Sequence, residues 1–448
     1  MNRLCFHPSL CTLAIAVAGA LFLASSPAQA QSLLDLLESA RAYDATYLAA
    51  RAQADAALPR AAQSLALRRP SATLGAAVSG SQLDTVAGGG VSSTLSQLSV
   101  QARQPLFNRA ADASIAQAQA QGDAAKADLD AAEQDLIARL SQAYFDVLAA
   151  QDTLGTVQAS KRGIAEQRAS AQRNFEVGTA TVADTREAQA RLDLALAQEI
   201  AAENDLRTRR VALDQLVGRS GVAPKPLLTP VLLSAAQPDD MELWVASATL
   251  QHPLIRKARV VADVARLETR KARAGHLPTV DLVASVAASR SSGSAITLAG
   301  ASTGTTGTAS IGVQLNIPLF SGYAVDNRIK ETRLLEEKAS LDLEAARRAV
   351  AQGTRQAFLG VKSGLAQVAA LQAAEDSSQL ALQATQLGYR VGVRVNLDVL
   401  NAQTQLFQTQ RDLARARYDV LLGGLRLRQA AGRLTTGDVA ALSRLLAP

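Results

Sequence analysis

The chain repeats itself, and that limits what it can fold into more than any other feature. Gln104-Pro105-Leu106-Phe107 is matched by Ile317-Pro318-Leu319-Phe320 at an offset of 213. Gln142-Ala143-Tyr144 is matched by Gln356-Ala357-Phe358, and Phe175-Glu176-Val177-Gly178 by Tyr389-Arg390-Val391-Gly392, both at 214. Asp184 matches Asp398, Ala188-Gln189 matches Ala402-Gln403, and Gly218-Arg219 matches Gly432-Arg433. Arg69-Pro70 matches Leu277-Pro278 at 208, so a loop differs in length between 70 and 105. A near-constant offset over so long a stretch marks a tandem duplication of one unit of about 200 residues. The units run over 31–220 and 241–448. Between them, 221–240 holds Pro224, Pro226, Pro230 and Pro238, a density that no regular helix survives.

Both units read alike. A helical stretch comes first, Leu33 to Leu67 and Met241 to Ala274. Alternating segments follow. Ala72, Leu74, Ala76 and Val78 share one face, as do Leu98, Val100 and Ala102; so do Val280, Leu282, Ala284 and Val286, and Ile311, Val313, Leu315 and Ile317. Period-two alternation with one apolar face predicts strands, here 71–82, 97–104, 279–289 and 309–317. Gly88-Gly89-Gly90 and Ser291 to Thr308 read as exposed loops.

Next comes a long proline-free run, Asn108 to Asn174 and Tyr323 to Leu387. At 1.5 Å per residue each would be a rod of roughly 100 Å. Leu140, Val147 and Leu154 step by seven, and Phe358, Val361, Leu365 and Val368 step by three, four and three, which is coiled-coil spacing. Val-Gly then turns the chain, with Gly178 and Gly392 suited to a left-handed helix end. Return helices are expected over 182–217 and 396–431.

The first 30 residues read as a secretory leader: Arg3, an apolar stretch from Leu10 to Ala24, and Ala28-Gln29-Ala30 before the expected cut. About 15 apolar residues are too few to span a membrane comfortably. Cys5 and Cys11, the two cysteines, both fall in this segment, so the mature chain would carry no disulfide, thiolate metal site or acylated Cys. No apolar stretch of membrane-helix length follows, so any membrane crossing must use β-strands.

Composition agrees with long, closely packed helices. Only 3% of the residues are aromatic, against 48% hydrophobic, and Ala, the best helix former, is abundant. The net charge of +6 is spread among acidic residues and is not interleaved with aromatics, which argues against a nucleic-acid partner.

The order helix, two strands, long helix, Val-Gly turn, return helix, all duplicated, resembles the TolC family of outer-membrane channel-tunnels. The matching stretches are Gly275-His276-Leu277-Pro278-Thr279, Ile317-Pro318-Leu319-Phe320-Ser321-Gly322, Tyr389-Arg390-Val391-Gly392-Val393-Arg394 and Leu397-Asp398-Val399-Leu400-Asn401-Ala402-Gln403. The resemblance covers about 33 to 447. It implies a mixed α and β membrane protein: a coiled-coil α-helical barrel continuous with a 12-stranded β-barrel shared by a homotrimer, four strands per chain. Independently, four strands cannot close a membrane barrel, for which about eight is the minimum. The resemblance further implies a passive duct in the outer membrane, extending into the periplasm. Its partners would be outer-membrane lipid, a periplasmic adaptor and an inner-membrane ABC transporter or other pump, and its cargo an exported protein or drug. The missing acylated Cys favours the type I protein secretion branch over multidrug efflux. A periplasmic coiled-coil scaffold is a third reading.

By the same resemblance, Tyr389 and Arg394, with Asp184 as acidic partner, would latch the periplasmic entrance. Exposed links of this kind are worth up to roughly 1 kcal/mol each. The bland alternative is a solvated Arg and an Asp that favours a helix N-terminus. Asp398 matches a ring acid at the entrance, and Asn401 stands where a second acid is expected, so cation selectivity should be weak. Pro105 and Pro318 would mark strand-to-helix junctions, and Trp244 a packing anchor. His276, alone before Pro278, is no metal site. No cofactor, metal or catalytic constellation is implied, so the chain is not expected to be an enzyme. The expected strands contain no aromatic residue, with Phe107, Phe320 and Tyr323 near one end only. Membrane barrels carry aromatic girdles at both interfaces, so either something else holds the outer rim or the barrel boundaries lie elsewhere.

Overall fold

The computed structural model describes residues 31–84, 90–228, 233, 235–293, 296–297, 300–301 and 304–447. The leader expected over 1–30 and Pro230 of the linker lie outside them.

The first helical stretch is two helices, α1 (Leu33–Tyr43) and α2 (Ala45–Ser64), and so is its repeat, α5 (Met241–Gln251) and α6 (Pro253–Arg273). The breaks fall at Asp44 and His252, which are equivalent at the offset of 208. Each breaking residue caps the helix after it. Asp44 Oδ1 accepts the Tyr47 N–H at 2.8 Å, and His252 Nδ1 accepts the Leu254 N–H at 3.2 Å. Capping pins an extended backbone at the junction, and Pro253 enforces it further.

The strands are β1 (Ser71–Asp84), β2 (Gly90–Phe107), β3 (Thr279–Gly293), the short β4 (Ile296–Thr297) and β5 (Gly300–Ala301), and β6 (Gly304–Asn316). β4 and β5 pair with each other; the other four form an antiparallel sheet in the order β1-β2-β3-β6. Both expected loops are therefore shorter than the glycines and serines suggested. Backbone ladders need no apolar side chain, and hydroxyls pair across strands, Ser81 with Ser93 and Ser285 with Ser310, each at 2.8 Å. Pro105 lies inside β2, opposite Asp281, where the register shifts before Phe107. It marks a bulge and not the strand's end. Pro318 does lie between β6 and the next helix.

The register sorts the sheet into two faces. Leu74, Val100, Val286 and Ala309 form one row, Ala72, Ala102, Ala284 and Ile311 the next, with Leu282 and Val313 beyond. This apolar face is exposed, Val78 at 75% and Ile311 at 76%. The opposite face is rich in hydroxyls: Thr73, Ser99, Ser285 and Ser310 lie on it, with the pair Arg103–Asp281 at 2.6 Å.

The long helices are α3 (Arg109–Glu176) and α7 (Ala324–Arg390), and the return helices α4 (Val182–Val217) and α8 (Asn396–Ala430); a short α9 (Thr436–Ser443) follows. α4 buries Ala188, Ala195 and Ala202 at sevenfold spacing, then Leu206 and Leu213. On α3 and α7, Leu140, Val147, Phe358 and Val361 are buried as their spacing predicts.

The chain divides into two compact units that cut across the repeats. One takes residues up to Leu48, Glu133–Ala248 and those from Gln352; the other takes Ala49–Ala132 and Thr249–Ala351, including the sheet. In the first unit, Leu33, Leu36 and Leu37 of α1 join Leu136, Leu140, Tyr144 and Phe145 of α3, Leu213 of α4 and Leu425 of α8 in one core. The first part of the linker, residues 221–228, is held on both sides. Gln31 bridges to Pro224, Leu227 to Leu446, and the Tyr144 hydroxyl accepts the Lys225 N–H at 2.7 Å. Trp244 is buried, its Nε1–H donating to the Pro238 carbonyl at 2.8 Å. In the second unit, Glu268 accepts from Gln117 at 2.8 Å and from Arg328 at 2.7 Å.

Candidate functional site

The site lies in the first unit, where α3 turns into α4 and α7 into α8. The two turns are built identically. Gly178 and Gly392 both have φ of 78°. Thr179 N donates to Asn174 O at 2.8 Å and Gly178 N to Phe175 O at 3.0 Å. Val393 N donates to Gly388 O at 2.9 Å and Gly392 N to Tyr389 O at 3.1 Å. This is the Schellman pattern, which satisfies the last carbonyls of each long helix and needs a left-handed residue at the glycine position.

On that shared backbone the side chains differ, and the differences make the site. Asn174 and Gly388 are equivalent at offset 214. Asn174 Nδ2 crosses to the other repeat and donates to the Tyr389 hydroxyl at 3.0 Å. Gly388 leaves room for Arg394, whose Cγ lies 2.8 Å from where a Cβ on Gly388 would stand. Arg394 Nη1 lies 3.5 Å from Asp398 Oδ2, one turn along α8.

Asp184 is engaged locally. Its Oδ2 accepts from Thr181 N at 2.9 Å and Thr181 Oγ1 at 2.7 Å, while Thr181 Oγ1 accepts the Asp184 N–H at 3.2 Å. That capping box opens α4. Within one chain the expected Arg394–Asp184 pair is therefore not made: Asp398 takes the arginine and Thr181 the aspartate. At the equivalent position α8 opens on Val395, which has no side-chain cap, so Asp398 has no hydroxyl partner there and is available to Arg394.

Four residues that the sequence did not single out, Gln167, Glu187, Arg191 and Asn396, tie the helices together behind the turns. Arg191 Nε donates to Glu187 Oε1 at 3.0 Å and Arg191 Nη2 to Asn401 Oδ1 at 3.2 Å. Glu187 and Asn401 are repeat equivalents, so one arginine bridges the same position in both copies. Gln167 Nε2 donates to Asn396 Oδ1, and Asn396 is 2% exposed with its Nδ2 buried and unpartnered among the described residues. The four-residue spacing of Glu187 and Arg191 on one helix was the available signal; nothing in the sequence pointed to Asn396. Beneath these groups the packing is of small residues, Ala171 and Ala188 fully buried with Leu400 and Ile164.

The perturbed ionisable groups lie away from the turns. Arg139 holds the Asp44 carboxyl below its ordinary value by hydrogen bonding, against the opposing effect of burial. Burial pushes the Tyr144 and Tyr418 phenols up, the latter with help from Asp152 at 2.6 Å. Burial also lowers the His252 imidazole. These groups serve the core. The turn site is an arrangement of exchangeable hydrogen bonds and two solvent-accessible ion pairs, Arg394–Asp398 and Arg191–Glu187, suited to opening and closing. Among the described residues no cluster fit to hold a metal is found, and no helix is long and apolar enough to cross a membrane.

The model of the family described as outer membrane efflux protein matches residues 36–219 and 244–433. The chain is 32% identical over 428 residues to outer membrane protein TolC of Vibrio cholerae, covering 95% of this chain and 96% of that one. It is 34% identical over 353 residues to the alkaline protease secretion protein AprF of Pseudomonas aeruginosa, covering 78% and 71%. Its fold is similar to the crystal structure of the outer membrane protein VceC from Vibrio cholerae, with a TM-score of 0.76 at 20% identity, covering 89% of this chain and 96% of that one.

Proposed function

The chain belongs to the outer membrane efflux protein family and is an efflux or secretion channel of the outer membrane, and from that premise we propose that it is the passive exit duct of a type I protein secretion system. Three chains close one barrel, and a periplasmic adaptor and an inner-membrane ABC transporter recruit the trimer. The observation that carries the duct is the four-stranded sheet. It has one exposed apolar face, one hydroxyl-rich face and open edges at β1 and β6. A lone four-stranded sheet leaves unpaired backbone that lipid cannot satisfy, whereas three copies joined edge to edge give twelve strands, within the range of closed membrane barrels.

Two points support secretion over drug efflux. A similar chain is named for protease secretion, and no cysteine follows Cys11 to carry an acyl anchor. Tripartite multidrug efflux is the second reading, supported by the efflux description of the family. The duct does no chemistry, and its energy comes from the transporter.

Asp184, Tyr389 and Arg394 serve as the entrance latch, with Asp398 and Asn401 at the opening. An exposed ion pair is worth only about 0.2–1 kcal/mol, so Arg394 can exchange Asp398 for an acid on a neighbouring subunit at little cost.

Purified protein should run as a trimer and give discrete conductance steps in a planar bilayer. A monomer without conductance would sink the duct. Crosslinking followed by purification should recover an adaptor and an ABC transporter; recovery of a proton-driven drug pump alone would favour the efflux reading.

A further inference from the structure

The apolar face of the sheet ends abruptly at a basic residue. Rows Leu315–Val280, Val313–Leu282, Ile311–Ala284, Ala309–Val286 and Gly307–Ala288 carry no charge. The next row outward is Thr305–Arg290–Ser96–Val78, and beyond it lie Ser292, Thr94 and Gly80. Among the described side chains of this face, Arg290 is the one charged group. It is exposed, as are Ser96 and Thr305 on the two flanking strands. No carboxylate among the described residues pairs with it.

The position matches a membrane boundary. Val280 to Arg290 spans ten residues, about 34 Å along a strand at roughly 3.4 Å each. At a tilt of about 40° that is a height of about 26 Å, the thickness of the apolar band of an outer-membrane barrel. The helix-proximal edge of the band has Phe107, Phe320 and Tyr323, the last two in an edge-to-face contact at 5.6 Å. The distal edge has no described aromatic side chain and has Arg290 instead.

We infer that Arg290, with the Ser96 and Thr305 hydroxyls beside it, binds the phosphate of a lipid headgroup in the outer leaflet and holds the rim that an aromatic girdle would otherwise hold. A guanidinium fork matches phosphate oxygens bidentately. Directly opposed residues on neighbouring strands bring their Cβ atoms within about 5.5 Å, so all three donors reach one headgroup. The hydroxyls fit an anion that carries several acceptor oxygens. The inference rests on the channel reading, because it requires this face to meet lipid.

The test uses full-length protein in neutral detergent, titrated with bisphosphorylated lipid A, with the same lipid dephosphorylated, and with inorganic phosphate. Conductance of the unmodified protein is measured separately. Wild type should prefer the phosphorylated lipid, and Arg290→Gln should weaken its binding by roughly fivefold, the effect of one basic residue at an anionic membrane surface. Arg290→Lys should keep part of the preference, losing the fork but not the charge. Equal binding of the dephosphorylated lipid, or full affinity in Arg290→Gln, would overturn the assignment. So would complete displacement of lipid A by millimolar inorganic phosphate, which would mark the site as one for a free anion. Absence of conductance in wild type would instead remove the channel reading beneath it.

Discussion

Arg191 on α4 donates to Asn401 on α8, and it does so while holding Glu187, the residue that occupies Asn401's position in the other repeat. One side chain thus spans the pseudo-equivalent sites of a duplicated chain. Arg191→Ala should weaken the association of the return helices by about 1 kcal/mol, the value of one hydrogen bond between α4 and α8. Backbone amides around 187–191 and 398–403 should then exchange with solvent severalfold faster. Unchanged exchange would reduce Arg191 to a surface residue.

Arg394→Ser should raise single-channel conductance, with leak detectable as greater sensitivity of cells to large drugs. Its effect on the unfolding temperature should be small, because the bond to Asp398 is exposed and joins the turn only to the first turn of α8. Asp398→Asn should move conductance less than Arg394→Ser if Arg394 also pairs across a subunit boundary. Equal effects would confine the pairing of Arg394 to Asp398 of its own chain.

Two glycines in the second turn should respond differently. Gly392→Ala forces a side chain into a φ of 78° and should cost about 1 kcal/mol of stability. Gly388→Ala meets Arg394 Cγ at 2.8 Å, so the arginine must swing away. That variant should behave like Arg394→Ser in conductance while melting close to wild type. A wild-type conductance would show that Arg394 keeps its place.

Thermal stability should fall in two steps on acidification. His252 is held neutral by burial, so its folded value lies below the ordinary 6.5. The unfolded chain takes up that proton first, and stability declines as pH drops below about 6.5. Asp44 is held ionised, chiefly by Arg139, so its contribution is intact above about pH 4 and disappears as pH falls through its lowered folded value. Glu268, held down first by Gln117 and further by Arg328, adds to the same acid limb. Asp44→Asn should keep the helix cap and flatten the lower step, and His252→Asn should flatten the upper one. Melting curves across pH 3 to 8 would check both, and a lower step unaltered in Asp44→Asn would remove Asp44 as its source.

Much of this was legible in the residues. The offset of 214 located both turns, and the two glycines proved to share one φ. Coiled-coil spacing identified Leu140, Val147, Phe358 and Val361 as buried on α3 and α7. Alternation found the strands but ended them early, because Gly, Ser and Thr carry no hydrophobic signal while a backbone ladder still forms through them. The breaks at Asp44 and His252 were missed because a cap is a local side-chain-to-backbone bond that periodicity does not register. The residues proposed as the latch were named, but their partners within the chain were not. Pairing at a helix end depends on which neighbour carries a hydroxyl, and Thr181 has one where Val395 does not.

The hydroxyl-rich face of the sheet bears on passage through the proposed duct. Thr73, Ser99, Ser285 and Ser310 offer a moving polypeptide the same donors and acceptors that water offers, at similar strength. Such a chain would exchange one set of partners for another at each step without gaining a grip. Leu95 and Val283 are the larger apolar side chains described on that face, each set beside polar or small neighbours, and apart from the Arg103–Asp281 pair the moving chain meets no fixed charge among the described side chains there. A lining of this kind sorts by width alone, so any choice of cargo would be made before the chain reached it.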